Sequence, residues 1–147
     1  MTLIVSAAES LIKPYTVPML KVLLPKAEDP NPSIATSVLS CVGELAQVGG
    51  EDLAPHLPTI MRIIIQTMQD QSSVPRRDAA IRTLGQVCSN TSYVIEPLKD
   101  YPQLLSTFTR MLRSEQNPQM RRETIKVMGI LGALDPYQSK VCASICR

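Results

Sequence analysis

Three stretches of this chain are built on one plan around a glycine. They read Val38-Leu-Ser-Cys-Val-Gly43-Glu-Leu45, Ala80-Ile-Arg-Thr-Leu-Gly85-Gln-Val87 and Thr124-Ile-Lys-Val-Met-Gly129-Ile-Leu131. The glycines recur after 42 and then 44 residues. A second landmark keeps the same beat: Pro14, Pro55, Pro97 and Pro136 are spaced by 41, 42 and 39 residues. A period of about 42 constrains the fold more than any composition can, because each unit must bury its apolar face against the next one.

The apolar pattern inside each period is helical. Leu57, Ile60, Met61, Ile64 and Met68 advance by three and four residues, which lines one face of a helix. Leu104, Leu105, Phe108, Met111 and Leu112 repeat the stripe one period later, and Leu20, Leu23 and Leu24 are its remnant in the first period. These are A helices. The glycine stretches are B helices, with core positions expected at Ile34, Val38, Cys41, Val42 and Leu45, at Ala80, Ile81, Leu84 and Cys88, and at Ile125, Met128 and Leu131. Asn31-Pro32, Asn117-Pro118 and Asp135-Pro136 each set a capping side chain before a proline suited to the first helical turn, with Ser72-Ser73 before Pro75 as a looser version. The prolines at 14/18, 55/58 and 97/102 should start or kink the A helices.

A helical pair repeating at about 42 residues lies in the range of HEAT and armadillo units. The 147 residues hold about three and a half of them. The expected fold is all-α: a right-handed solenoid forming one domain over 1–147, with hairpins at roughly 3–49, 50–92, 93–134 and a partial 135–147. Twelve prolines, six glycines, no Trp and one Phe agree, since an all-β chain wants more Gly in turns and more aromatics in strands. Met1–Ala8 and Val141–Cys146 are apolar rather than polar caps, so the chain reads as a slice of a longer solenoid, able to self-associate through its end faces. Gly43, Gly85 and Gly129 fall inside the B helices, where each costs about 1 kcal/mol relative to Ala. The expected compensation is close packing against the partner A helix.

The chemistry-bearing residues are few. Kinase, hydrolase and metal signatures are missing: the glycines form no phosphate loop, and His56 is the one histidine. No catalytic residue, metal or cofactor is expected. Cys142 and Cys146 share a helical face, but Cys41 and Cys88 lie in other repeats and read as core. With no basic run ahead of Met1–Ala8, a secretory signal is not expected, which points to free thiols in the cytoplasm or nucleus. Fifteen Lys+Arg against 13 Asp+Glu leave a net charge of +2, too little for a bulk nucleic-acid binder, and no run spans a membrane. Arg76-Arg77 and Arg121-Arg122 each open a B helix one period apart. They are the candidate ridge for an acidic or phosphate-bearing partner, with Arg82, Lys126 and Arg110 as extensions. The simpler reading is an acid–base ladder, pairing Asp70 with Arg77 and Glu115 with Arg121.

The wording of the repeats is more specific than the period. Gly43-Glu-Leu-Ala-Gln-Val-Gly-Gly50, Thr83-Leu-Gly-Gln86, Tyr93-Val-Ile-Glu-Pro97, Tyr101-Pro-Gln-Leu-Leu105, Arg121-Arg-Glu123 and Gly129-Ile-Leu-Gly-Ala-Leu-Asp-Pro-Tyr137 resemble the N-terminal HEAT region of the target of rapamycin (TOR) kinases. The resemblance covers about Leu3 to Lys140, and the Gly-Ala-Leu-Asp-Pro-Tyr run is its most distinctive part. Val141–Arg147 departs from the family. The resemblance implies a scaffold segment of a very large serine/threonine kinase in nutrient and growth signalling. The kinase domain lies elsewhere, and the solenoid serves dimerisation and the docking of subunits such as raptor. It also implies a cytoplasmic place, with nuclear or peripheral endomembrane association through the parent complex. Without it, the same period would fit a transport receptor or a phosphatase scaffold.

Overall fold

The computed structural model describes residues 11–132 apart from residues 95 and 115. Among the described residues there is no strand. The helices are α1 (Thr16–Leu23), α2 (Pro32–Gly49), α3 (Leu57–Gln69), α4 (Val74–Asn90), α5 (Glu96–Asp100), α6 (Gln103–Ser114) and α7 (Pro118–Ile130). They alternate in type. α1, α3 and α6 are A helices, and α2, α4 and α7 are B helices.

The starts follow from the punctuation. Asn31 and Asn117 each accept a hydrogen bond from the backbone N–H two residues on, at 3.0 and 2.9 Å, with proline in the first helical turn. The Ser73 hydroxyl accepts from the Arg76 N–H at 3.4 Å. These bonds satisfy amides that the helix cannot pair internally. Asp135-Pro136 lies outside the described residues. The A helices are each preceded by a tight proline-bearing segment: Lys13–Tyr15 with Pro14, Gly50–His56 with Pro55, and α5 with Pro97. Gly50 closes α2 at φ +51°, a conformation that costs a side-chain-bearing residue about 1–2 kcal/mol.

Each A helix packs on the B helix that follows it: α1 on α2, α3 on α4, α6 on α7. The pairs then stack. B helices run side by side in the order α2, α4, α7, while α3 meets α6. The chain is therefore an all-α solenoid. The α3 stripe expected from sequence, Leu57, Ile60, Met61, Ile64 and Met68, is buried throughout. In α6, Leu104, Phe108 and Met111 are buried, and Leu105 and Leu112 half-buried. α4 lies between α2 and α7 and against α3, so it is buried on several sides, at Ala79, Ala80, Ile81, Thr83, Leu84, Val87 and Cys88.

Three expected core positions are on the surface. Ile34 is 42% exposed, Ile125 is 48% exposed, and Cys41 is exposed. The buried stripe of α2 runs through Ala35, Val38, Leu39, Val42, Leu45 and Ala46, one position round from Ile34 and Cys41. In α7 it runs through Met120, Thr124, Val127 and Leu131. Small and hydroxyl side chains occupy core positions where bulk alone suggested the larger neighbour.

The close approaches between units are made by B helices. A Cβ on Gly43 would collide with the end of the Gln86 side chain, and one on Gly85 would lie 3.0 Å from Val127 Cγ2 and 3.7 Å from Ile130 Cδ1. Both contacts belong to the next B helix, not to the A partner expected from sequence. The reason is that B helices stack directly along the solenoid. Gly129 lies in α7 and is exposed.

A side-chain bond ties the first two B helices. Thr83 Oγ1, buried, donates to the Leu39 carbonyl at 2.8 Å. The hydroxyls of Thr67, Thr91 and Thr124 instead donate within their own helices. Thr83→Val is therefore expected to lower unfolding free energy by about 1 kcal/mol, the net worth of one such bond, whereas Thr67→Val stays closer to neutral. Paired urea melts check this, and equal losses would show that the inter-helix bond adds nothing.

Candidate functional surface

The double arginines come from the N-terminal turns of the B helices. Adjacent residues on a helix point about 100° apart, so a pair cannot serve one face. Arg76 borders a cavity of about 230 Å³ with Glu28, Ile63, Gln66 and Asp70. Arg77 borders a second one, of about 210 Å³, with Met68, Gln71, Arg110, Met111 and Ser114. Both arginines are half-buried. Arg76 Nη1 lies 3.8 Å from Asp70 Oδ2, and Arg77 Nη1 donates to the Asp70 carbonyl at 3.4 Å. Arg76 Nε is buried without a hydrogen-bond partner among the described residues. Arg121 and Arg122 are both exposed. The expected partner of Arg121, Glu115, lies outside the described residues.

Asp70 organises the turn between α3 and α4. Its carboxylate accepts from the Ser72 N–H at 2.9 Å and from the Ser72 hydroxyl at 2.8 Å. These bonds, with Arg76 and Arg77 nearby, hold its carboxyl below the usual carboxylate range. The Asp29 carboxylate makes the same kind of turn bond, to the Asn31 N–H at 2.9 Å. The acids thus fix the turns of their own units, and Asp70 meets the bases of its own B helix.

Other charges are paired locally. Arg82 meets Asp78 at 2.7 Å, Lys126 meets Glu123 at 3.9 Å, Lys13 meets Asp52 at 3.6 Å and Arg62 meets Glu28 at 3.3 Å. Exposed pairs of this kind contribute only about 0–1 kcal/mol each. On the B side Gln86 donates to Glu44 at 3.1 Å, between residues 42 apart.

No group of three or more His, Cys, Asp or Glu is placed to hold a metal among the described residues. His56 is half-buried at the end of the Gly50–His56 segment, with no side-chain hydrogen bond or ion pair among the described residues. No described helix is long and apolar enough to cross a membrane. Cys142 and Cys146 lie outside the described residues. Burial pushes the Cys88 thiol up to about 12, so it stays protonated at neutral pH, while Cys41 is exposed. Brief iodoacetamide labelling of the folded chain at pH 8, read by peptide mapping, should modify Cys41 and spare Cys88 until denaturant is added. Equal labelling of the two would contradict this burial.

Two surfaces were not marked by sequence reasoning. The first is an apolar stripe on and before α1, where Leu11, Tyr15, Met19 and Val22 are 72%, 63%, 45% and 72% exposed. Their spacing of four, four and three is the signal that could have found them. The second is an open groove of about 570 Å³ along α6, with Pro102, Leu105 and Thr109 beside Arg110 and Arg113.

Comparison with known proteins gives two family matches. A HEAT-like repeat model matches residues 32–87, and a model described as the serine/threonine-protein kinase mTOR domain matches residues 94–145, which carries the likeness into the tail expected to depart from the family. Serine/threonine-protein kinase TOR2 of Saccharomyces cerevisiae is 44% identical over 137 residues, covering 93% of this chain and 6% of that protein. The tor1 kinase of Schizosaccharomyces pombe is 44% identical over 136 residues, covering 92% and 6%. The TOR kinase of Arabidopsis thaliana is 39% identical over 142 residues, covering 93% and 6%. The chain thus spans about 6% of the length of these relatives, as a helical-repeat segment.

Proposed function

Because the chain belongs to the target of rapamycin kinase family as a HEAT-repeat segment, we propose that it is a non-catalytic scaffold and protein-interaction segment of a TOR-like kinase. In this reading it supports dimerisation and the docking of regulatory subunits such as raptor, in the cytoplasm. The observation that carries it is the likeness to TOR kinases over 93% of a chain that folds as a helical solenoid with open grooves and helix edges. A solenoid presents long edges at fixed spacing, which suits partner docking. The division into hairpins at 3–49, 50–92, 93–134 and 135–147 belongs to the same proposal. So does the covering of the Leu11–Val22 stripe by further solenoid or, in the isolated chain, by a second copy.

The test is affinity capture from cell lysate with the tagged chain, read by mass spectrometry. Recovery of TOR-complex subunits supports the reading. Recovery of chaperones alone overturns docking through this segment. A variant with Arg76, Arg77, Arg121 and Arg122 all changed to Ser runs alongside, and loss of capture would assign docking to that ridge. The purified chain with Mg-ATP and a serine peptide is expected to transfer no phosphate above a protein-free control. Transfer above that control would overturn the non-catalytic part.

A further inference from the structure

α6 carries two guanidinium groups that nothing in the described structure neutralises. Arg110 and Arg113 are exposed, stand three residues apart on one helix edge, and have no carboxylate partner among the described residues. This sets them apart from Arg62, Arg76, Arg82 and Lys126, each of which has an acidic neighbour within 4 Å. They are also placed differently from Arg121 and Arg122, which are exposed but line none of the described cavities.

The groove beside them is largely apolar. Pro102, Leu105 and Thr109 line it beside the two arginines. The hydroxyls along it are turned back on their own helix: Ser106 donates to the Gln103 carbonyl at 2.8 Å, Thr109 to Leu105 at 2.9 Å and Ser114 to Arg110 at 2.9 Å. The guanidiniums are therefore the donors left for a ligand. Arg110 and Ser114 also line the neighbouring cavity that holds Arg77, so the basic edge runs between two depressions.

We propose that the outer face of α6 docks an acidic, amphipathic peptide segment of a partner protein, with carboxylates meeting Arg110 and Arg113 and apolar side chains seated on Leu105 and Pro102. Charge complementarity selects this occupant. Guanidinium groups favour carboxylates with which they form paired hydrogen bonds, and an apolar lining rewards an apolar face beside them. The chain's own residues 133–147 are a poor match, because Asp135 is their one acid against Lys140 and Arg147. The inference rests on the scaffold reading above and names the chemistry of one docking surface within it.

The probe is a fluorescein-labelled 16-residue peptide with Glu one helical turn apart and Leu on the adjoining face. Binding to the full chain is followed by anisotropy at low and moderate salt, with a Lys-for-Glu peptide as the control. The wild-type chain is expected to bind the acidic peptide and not the basic one, more weakly as salt rises. Arg110→Ser with Arg113→Ser should weaken binding by about tenfold or more, while Arg121→Ser with Arg122→Ser changes it less than about twofold. Leu105→Glu should weaken it as well, but Leu105 is half-buried, so the exposed double-serine variant is the deciding one. Three results overturn the proposal: no binding by the wild-type chain, an unchanged affinity in the Arg110/Arg113 variant, or equal losses in both arginine pairs. The scaffold reading is tested separately by the lysate capture and survives any of them.

Discussion

Phe108→Ala is expected to destabilise the chain by about 3–5 kcal/mol, the usual cost of truncating a fully buried aromatic. Phe108 is the single phenylalanine, is 0% exposed, and sits in α6 between Leu104 and Met111 on the stripe that meets α3 and α7. Loss of the ring leaves a cavity where two units join. The lining of that cavity loses its contacts with the ring. In a stacked array, stability is close to a sum of unit and interface terms. The loss should therefore concentrate in α6 and α7, while the bond between Thr83 and Leu39 keeps α2 and α4 together. Urea unfolding gives the total, and hydrogen exchange gives its place. Phe108→Leu keeps most of the volume and should cost less than half as much. A midpoint unchanged by Phe108→Ala would mean that α6 is not held by this residue.

The fold was legible because its landmarks are local. Asn31-Pro32 and Asn117-Pro118 state helix starts by themselves, and the Leu57–Met68 stripe states a buried face by itself. What failed depended on neighbours. Ile34, Cys41 and Ile125 sit one position round from the true stripe, and apolar bulk could not distinguish them from Ala35, Val42 and Thr124. The period also could not say which helix each glycine approaches. The surface was read less well. Arg76 and Arg77 attracted notice as a pair, although helical geometry separates adjacent side chains and the structure gives them different cavities. Arg110 was read only as an extension of the ridge on Arg76, Arg77, Arg121 and Arg122, and Arg113 was not singled out. Their interest comes from the lack of an acidic neighbour within 4 Å among the described residues, unlike Arg62, Arg76, Arg82 and Lys126, and from the apolar groove, neither of which sequence spacing contains.

Gly85→Val tests the register between the second and third B helices. Gly85 is buried in the middle of α4, where glycine is unfavourable by about 1 kcal/mol relative to alanine. The position is kept open by α7: a Cβ would lie 3.0 Å from Val127 Cγ2. Gly85→Ala asks Val127 to give by a few tenths of an ångström, and the gain in helix propensity offsets that strain, so its net effect should be within about 1 kcal/mol of zero. Valine adds two methyl groups at the same contact, with Ile130 Cδ1 also near, 3.7 Å from the Cβ position. Its branched side chain has one strongly preferred rotamer in a helix and cannot swing clear. Overpacking of this kind costs about 1–3 kcal/mol, and it should push α7 away from α4. Gly43→Val is the internal control. There the colliding group is the far end of Gln86, a flexible side chain whose hydrogen bond to Glu44 is exposed. That side chain can move aside, so Gly43→Val should cost less than Gly85→Val. Thermal melts of the three variants decide the matter. A Gly85→Val chain that melts with wild type would show that α4 and α7 do not approach at Val127, and the stacking order of the B helices would have to be redrawn.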